Sequence, residues 1–154
     1  MTSRGADWAP GPAWDAERLA RAGLVLLGEA GTVEEVRSAW KVFVSADAEP
    51  SVRISDALGE AAEAVLEHAW VAVARRNGVV SDVGEFLLSV EGEGAWGRPW
   101  FHVRTDGSPR IGDLGPYPGQ PGFIASSLDR SAMVAVSTEE HESWILVGGG
   151  QTER

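Results

Sequence analysis

Cysteine is absent from the 154-residue chain. That excludes structural disulfides, thiolate metal sites and cysteine nucleophiles together. Lysine is almost missing too: of thirteen basic residues, only Lys41 is not arginine. Against them stand 23 acids, for a formal charge of −10. Such a surface repels phosphate backbones, which argues against nucleic acid as a partner and for a basic protein. Long apolar runs are lacking as well. Nothing approaches the roughly 20 residues of a bilayer-crossing helix, and Met1–Pro12 holds no apolar stretch of the signal-peptide kind. The expectation is a soluble, cytoplasmic protein that does not act at a membrane. The bias towards arginine, alanine, glycine and valine is that of a high-GC bacterial genome.

What is present suffices for one globular domain. The chain is 44% hydrophobic and 23% charged, and its length supports a continuous core without staples. Residues 1–12 read as an N-terminal arm and 13–154 as a single domain. The composition shifts near Gly78, from alanine and glutamate at helical spacing to glycine, proline and alternating apolar residues. A first helix is expected over Ala13–Leu27, with Trp14, Leu19, Ala22 and Leu26 near one stripe. The unbroken run Leu24–Leu27 before Gly28 reads equally as a short buried strand. Thr32-Val33-Glu34-Glu35 is a capping box, in which the threonine hydroxyl accepts from the Glu35 amide and the Glu35 carboxylate reaches back. Val33, Val36, Trp40 and Phe43 then mark a second helix. A third is expected from a Ser55 cap to Gly78, with Leu58, Ala62, Val65, Leu66, Ala69 and Val73 inward and Glu60, Glu63 and Glu67 outward.

Beyond Gly78 the period falls to two. Phe86–Val90, Trp100–Thr105, Phe123–Ser127, Met133–Ser137 and Trp144–Val147 read as strands, the last two as a terminal hairpin. The fold class expected is α+β, with N-terminal helices packed on a C-terminal antiparallel sheet.

No pattern of catalytic or metal-binding residues emerges. His68, His102 and His141 match no metal spacing, no Gly-x-Ser-x-Gly elbow occurs, and no glycine-rich stretch ends as a phosphate loop does. No cofactor is expected. Two segments carry residues suited to recognition. Glu91-Gly92-Glu93-Gly94-Ala95-Trp96-Gly97-Arg98-Pro99-Trp100 sets two acids, two tryptophans and an arginine among glycines between strands. Tryptophan and arginine bury large area while keeping a polar handle, so they anchor interfaces; a tryptophan folded back over the core is the plainer alternative. The second segment, Asp106–Gly122, has five glycines and four prolines and carries Arg110, Asp113 and Tyr117. Long irregular loops in small domains tend to be functional or mobile. The candidate partner-binding residues are therefore Glu91, Glu93, Trp96, Arg98, Trp100, Arg110, Asp113 and Tyr117.

These features suggest a small acidic protein-binding domain without enzymatic activity, such as an immunity protein, antitoxin or adaptor for a basic partner. An alternative follows from element order, which is similar to that of cone-shaped barrels of the NTF2-like kind. That resemblance implies a pocket in which His102 and Trp100 share a strand face, with Glu85 or Asp113 beside the histidine. A homo-oligomer through the edge of a terminal strand Trp144–Val147 is the third possibility.

Overall fold

The computed structural model describes residues 12–44, 49–92, 94–105, 107, 109–117 and 119–149. Most of the N-terminal arm, with Trp8, lies outside them. The chain runs α1 (Pro12–Arg21), β1 (Leu24–Ala30), α2 (Val33–Phe43), β2 (Val52–Ser55), α3 (Ala61–Arg76) and β3 (Glu85–Val90). It continues through β4 (Trp100–Thr105), β5 (Phe123–Ser126), β6 (Ala132–Thr138) and β7 (Glu142–Gly149). All seven strands form one antiparallel sheet in the order β1-β4-β3-β5-β6-β7-β2.

The protein is thus mixed α+β, with one refinement to the expected layout. The sheet is not confined to the C-terminal half, because β1 and β2 supply its two outer strands. They lie six strand spacings apart, about 29 Å. The segment carrying α2 therefore crosses one whole face of the sheet, and α3 returns across the other.

Both faces are consequently buried, which explains why the central strands are apolar at successive positions. On the α3 side, Leu66, Trp70 and Val73 pack with Phe86, Leu88, Phe101, Val103, Phe123 and Ala125. On the α2 side, Val36, Ala39 and Trp40 pack with Leu87, Trp100, Ile124, Ala135 and Leu146. A β-bulge lets β1 serve both layers. Leu26 pairs with Val103 but Gly28 pairs with His102, so the extra residue, Leu27, switches the side-chain faces. Leu24 and Leu26 accordingly join the α3-side core and Ala30 the α2-side one.

Local signals decide where each element begins. Of the two readings of Leu24–Leu27, the strand is the one formed: α1 stops at Arg21, and Gly23, at φ 83°, turns the chain into β1. The Thr32 hydroxyl accepts from the Glu35 amide at 3.1 Å. The Glu35 carboxylate does not close the box; it pairs with Arg130 at 3.3 Å. Ser55 caps a short 3-10 turn, Asp56–Leu58, rather than the third helix, which begins three residues later at Ala61. The buried side of that helix is Leu66, Trp70, Val73 and Ala74, and Val65 is 42% exposed. Neighbouring helical residues point about 100° apart, so Val65 and Leu66 cannot both face the sheet centre. Leu66, one turn before the buried Trp70, is the one that does. The strand Trp144–Val147 is not a free edge over its whole length, since β2 covers β7 from Glu142 to Ile145.

Candidate functional site

Two clefts open at the end of the sheet where the β6–β7 turn sits, one on each side of it. The first, of about 640 Å³, lies between β2, the N-terminal part of α3 and the β6–β7 turn. Asp56, Glu60, Glu63, Glu139, Glu140 and Glu142 all line it, and among the described residues no lysine or arginine does. The pairing of β2 with β7 creates this gathering, because it sets Ser55 opposite Glu142 and brings the turn beside the start of α3. Glu63 packs its carboxylate against Gly112, at a place where any side chain on that residue would collide with it. A side chain at 112 would have to push the Glu63 carboxylate aside.

The carboxylates differ in how they are held. Glu142 accepts from the Trp144 indole at 2.6 Å and from Arg53 at 3.1 Å. These two contacts, the indole first, draw its pKa below the usual carboxylate range. Glu139 accepts from the Ser137 hydroxyl at 2.7 Å, and its amide donates to the Glu142 carbonyl. Thr138 donates to the Pro121 carbonyl at 2.8 Å, which fastens the turn to the loop before β5. Among the described residues no three histidine or acidic side chains come together as a metal-holding group. The charges are spread along the cleft rather than focused on a point.

The second cleft, of about 550 Å³, lies on the α2 side. Trp40, Phe43, Val44, Trp96, Ala135 and Leu146 give it an apolar surface, and Glu91 and Glu139 stand among its polar residues. Trp96 stacks on Trp40, with ring centroids 6.3 Å apart and planes 21° from parallel. Arg37 holds the loop in place, donating to the Trp96 carbonyl at 2.8 Å. Trp40 is itself fixed by donation to the buried Ser89 hydroxyl at 2.8 Å. Trp96 remains 40% exposed, whereas Trp40 is 6% exposed. Thr138 and Glu139 line both clefts, so the two meet across the turn.

The residues singled out from sequence are dispersed. Glu91 and Trp96 come together in the apolar cleft. Glu93 lies outside the described residues. Arg98 is half-buried with its guanidinium over the Phe101 ring. Trp100 is fully buried beneath α2, so it has no surface to offer a partner. Arg110 fastens its loop to the end of α1, donating from its side chain to the Arg21 carbonyl and from its amide to Ala22. Asp113 belongs to a 3-10 turn between the buried Ile111 and Leu114, and Tyr117 is 64% exposed. The loop residues Gly119–Pro121 wall the acidic cleft. His102 is half-buried and bonded to Glu85 at 2.8 Å. Neither it nor Trp100 lines either cleft, and helices pack on both faces of the sheet.

Asp56, Glu60, Glu63 and the Glu139–Glu142 turn were not singled out as a site. Each is an ordinary polar residue of a helix start or a turn, and only strand order joins them. No family model, curated protein or solved structure matches the chain. Among the described residues no helix is long and apolar enough to cross a membrane.

Proposed function

We propose that this protein is a docking domain for a basic protein, an inhibitor or adaptor that takes cationic side chains into the acidic cleft. The observation that carries this reading is the lining itself: among the described residues, six carboxylates and no lysine or arginine. Distributed acids suit the separated charges of a polypeptide better than a single ion. Arginine is well matched to them, because its planar fork meets a carboxylate at two points. Complementary charge raises the rate of encounter and selects among partners more than it adds affinity.

The test is fluorescence anisotropy of a labelled arginine- and lysine-rich peptide of about ten residues. Binding is expected to weaken about tenfold between ~50 and ~500 mM salt. The triple variant Glu60→Gln, Glu63→Gln, Glu140→Gln is expected to lose about tenfold at low salt. A control set, Glu17→Gln, Glu29→Gln, Asp82→Asn, removes the same charge from exposed positions that line neither cleft. Equal losses in both sets would reduce the effect to net charge and overturn the proposal.

A further inference from the structure

From the junction of the two clefts we infer that the apolar one is the anchor pocket for the same partner. It takes one bulky aliphatic side chain from a segment whose basic residues lie in the acidic cleft. The inference rests on the docking reading above and specifies the chemistry of the segment bound.

Three observations carry it. The clefts share Thr138 and Glu139, so an extended chain passing over the β6–β7 turn faces both. The turn is held by the Thr138–Pro121 bond and by the bond from the Glu139 amide to Glu142, which gives the segment a formed saddle. Glu91 and Glu139 line the apolar cleft, and among the described residues no lysine or arginine does. A segment with basic residues flanking its apolar one therefore meets complementary charge there too.

The aromatic floor is also held in place. Trp96 is kept over Trp40 by the Arg37 bond to its own carbonyl. Phe43 lies against Gly148 so closely that a methyl group there would sit 2.8 Å from its ring. A rigid aromatic surface loses little side-chain freedom when covered, and aromatic residues in such pockets account for much of the binding energy in interfaces.

Two peptides of about ten residues test this. Both are rich in arginine and lysine; one has a central leucine and the other serine in its place. The leucine peptide is expected to bind about tenfold more tightly. It is also expected to protect Trp96, the exposed ring of the Trp96–Trp40 stack, from acrylamide quenching, which the serine peptide does not do. Trp96→Ala is expected to abolish the difference between the peptides, and a thermal melt checks its folding. The quenching measurement needs no variant, so it stands if that one is damaged.

Equal binding by both peptides, still sensitive to Glu60→Gln, Glu63→Gln, Glu140→Gln, would overturn the anchor and leave the acidic-cleft reading intact. Failure of both to bind would remove the docking reading and the anchor with it. Concentration-dependent self-association abolished by Trp96→Ala would assign the groove to a second copy of the chain and likewise overturn the proposal.

Discussion

The two faces of the sheet are covered by helices of unequal length, and the difference separates holding the fold from presenting a surface. On one side α3, with 16 residues, sets Trp70 between the rings of Phe86 and Phe123 at 5.8 and 5.6 Å. The cover there opens into a cleft at the N-terminal part of the helix, where Glu60 and Glu63 stand. On the other side α2, with 11 residues, covers less of the sheet. Past its end, among the described residues, Phe43 and Trp96 stand beside β6 and β7 in the apolar cleft. On this division the longer helix, with its fully buried Trp70, is expected to contribute more to stability. The shorter one leaves an aromatic floor within reach of solvent.

If that division is right, substitutions on the two faces must cost differently. Trp70 is 1% exposed. Trp70→Ala is expected to destabilise by about 3–5 kcal/mol, since it removes a large buried ring and leaves a cavity that rigid strands cannot close. Urea unfolding followed by circular dichroism measures this. Trp40→Phe is expected to cost less, about 1–3 kcal/mol, chiefly by leaving the buried Ser89 hydroxyl without its partner. A larger loss from Trp40→Phe than from Trp70→Ala would break the comparison and make the α2 face the main support of the fold.

How much of this was legible in the sequence depended on whether a feature is local. The span of β4 was readable to the residue, because Trp100–Thr105 alternates and is bounded by Pro99 and a glycine-rich loop. The start of α2 was readable from Thr32, whose hydroxyl accepts from the Glu35 amide, although Glu35 turns to Arg130 instead of closing the box. Both signals act within a few residues. The membership of β1 and β2 in the sheet was hidden, because strands at opposite edges are joined by partners distant in sequence. The face of α3 differs from the expected one at Val65, since helical spacing tolerates two adjacent stripes and the stripe of Leu66, Trp70, Val73 and Ala74 is the one buried. Of the site, Glu91 and Trp96 were visible because acids and tryptophan among glycines are unusual. The acidic cleft was invisible for the opposite reason. Its members are common residues in common places, and the pairing of Ser55 with Glu142 is what assembles them.

The smallest expected effect tests whether the charge crowding around the acidic cleft carries a cost in stability. Glu67 follows Glu63 by one helical turn and lies behind it, against the Ile111–Asp113 turn. Burial, and then the Glu63 charge, push its pKa above the usual 4.5; the Gly112 amide, Arg110 and the Ile111 amide pull the other way without cancelling the rise. A carboxyl that is harder to ionise in the folded state stabilises the fold while protonated. That contribution is full below about pH 4.5, where the unfolded chain is protonated as well, and is lost as pH rises through the folded value. Glu67→Gln keeps an oxygen for the Gly112 and Ile111 amides and removes the charge. It is therefore expected to raise stability at pH 7 by about 0.2–0.5 kcal/mol, the scale of a like-charge pair one turn apart. At pH 4 the gain is expected to vanish. Thermal unfolding at the two pH values decides it, and an equal gain at both would show that packing, not charge, is responsible. Glu63 lines the cleft and Glu67 does not, so Glu67→Gln should leave capture of the basic peptide unchanged. A loss of capture would place Glu67 in the docking surface and tie the charge crowding directly to recognition.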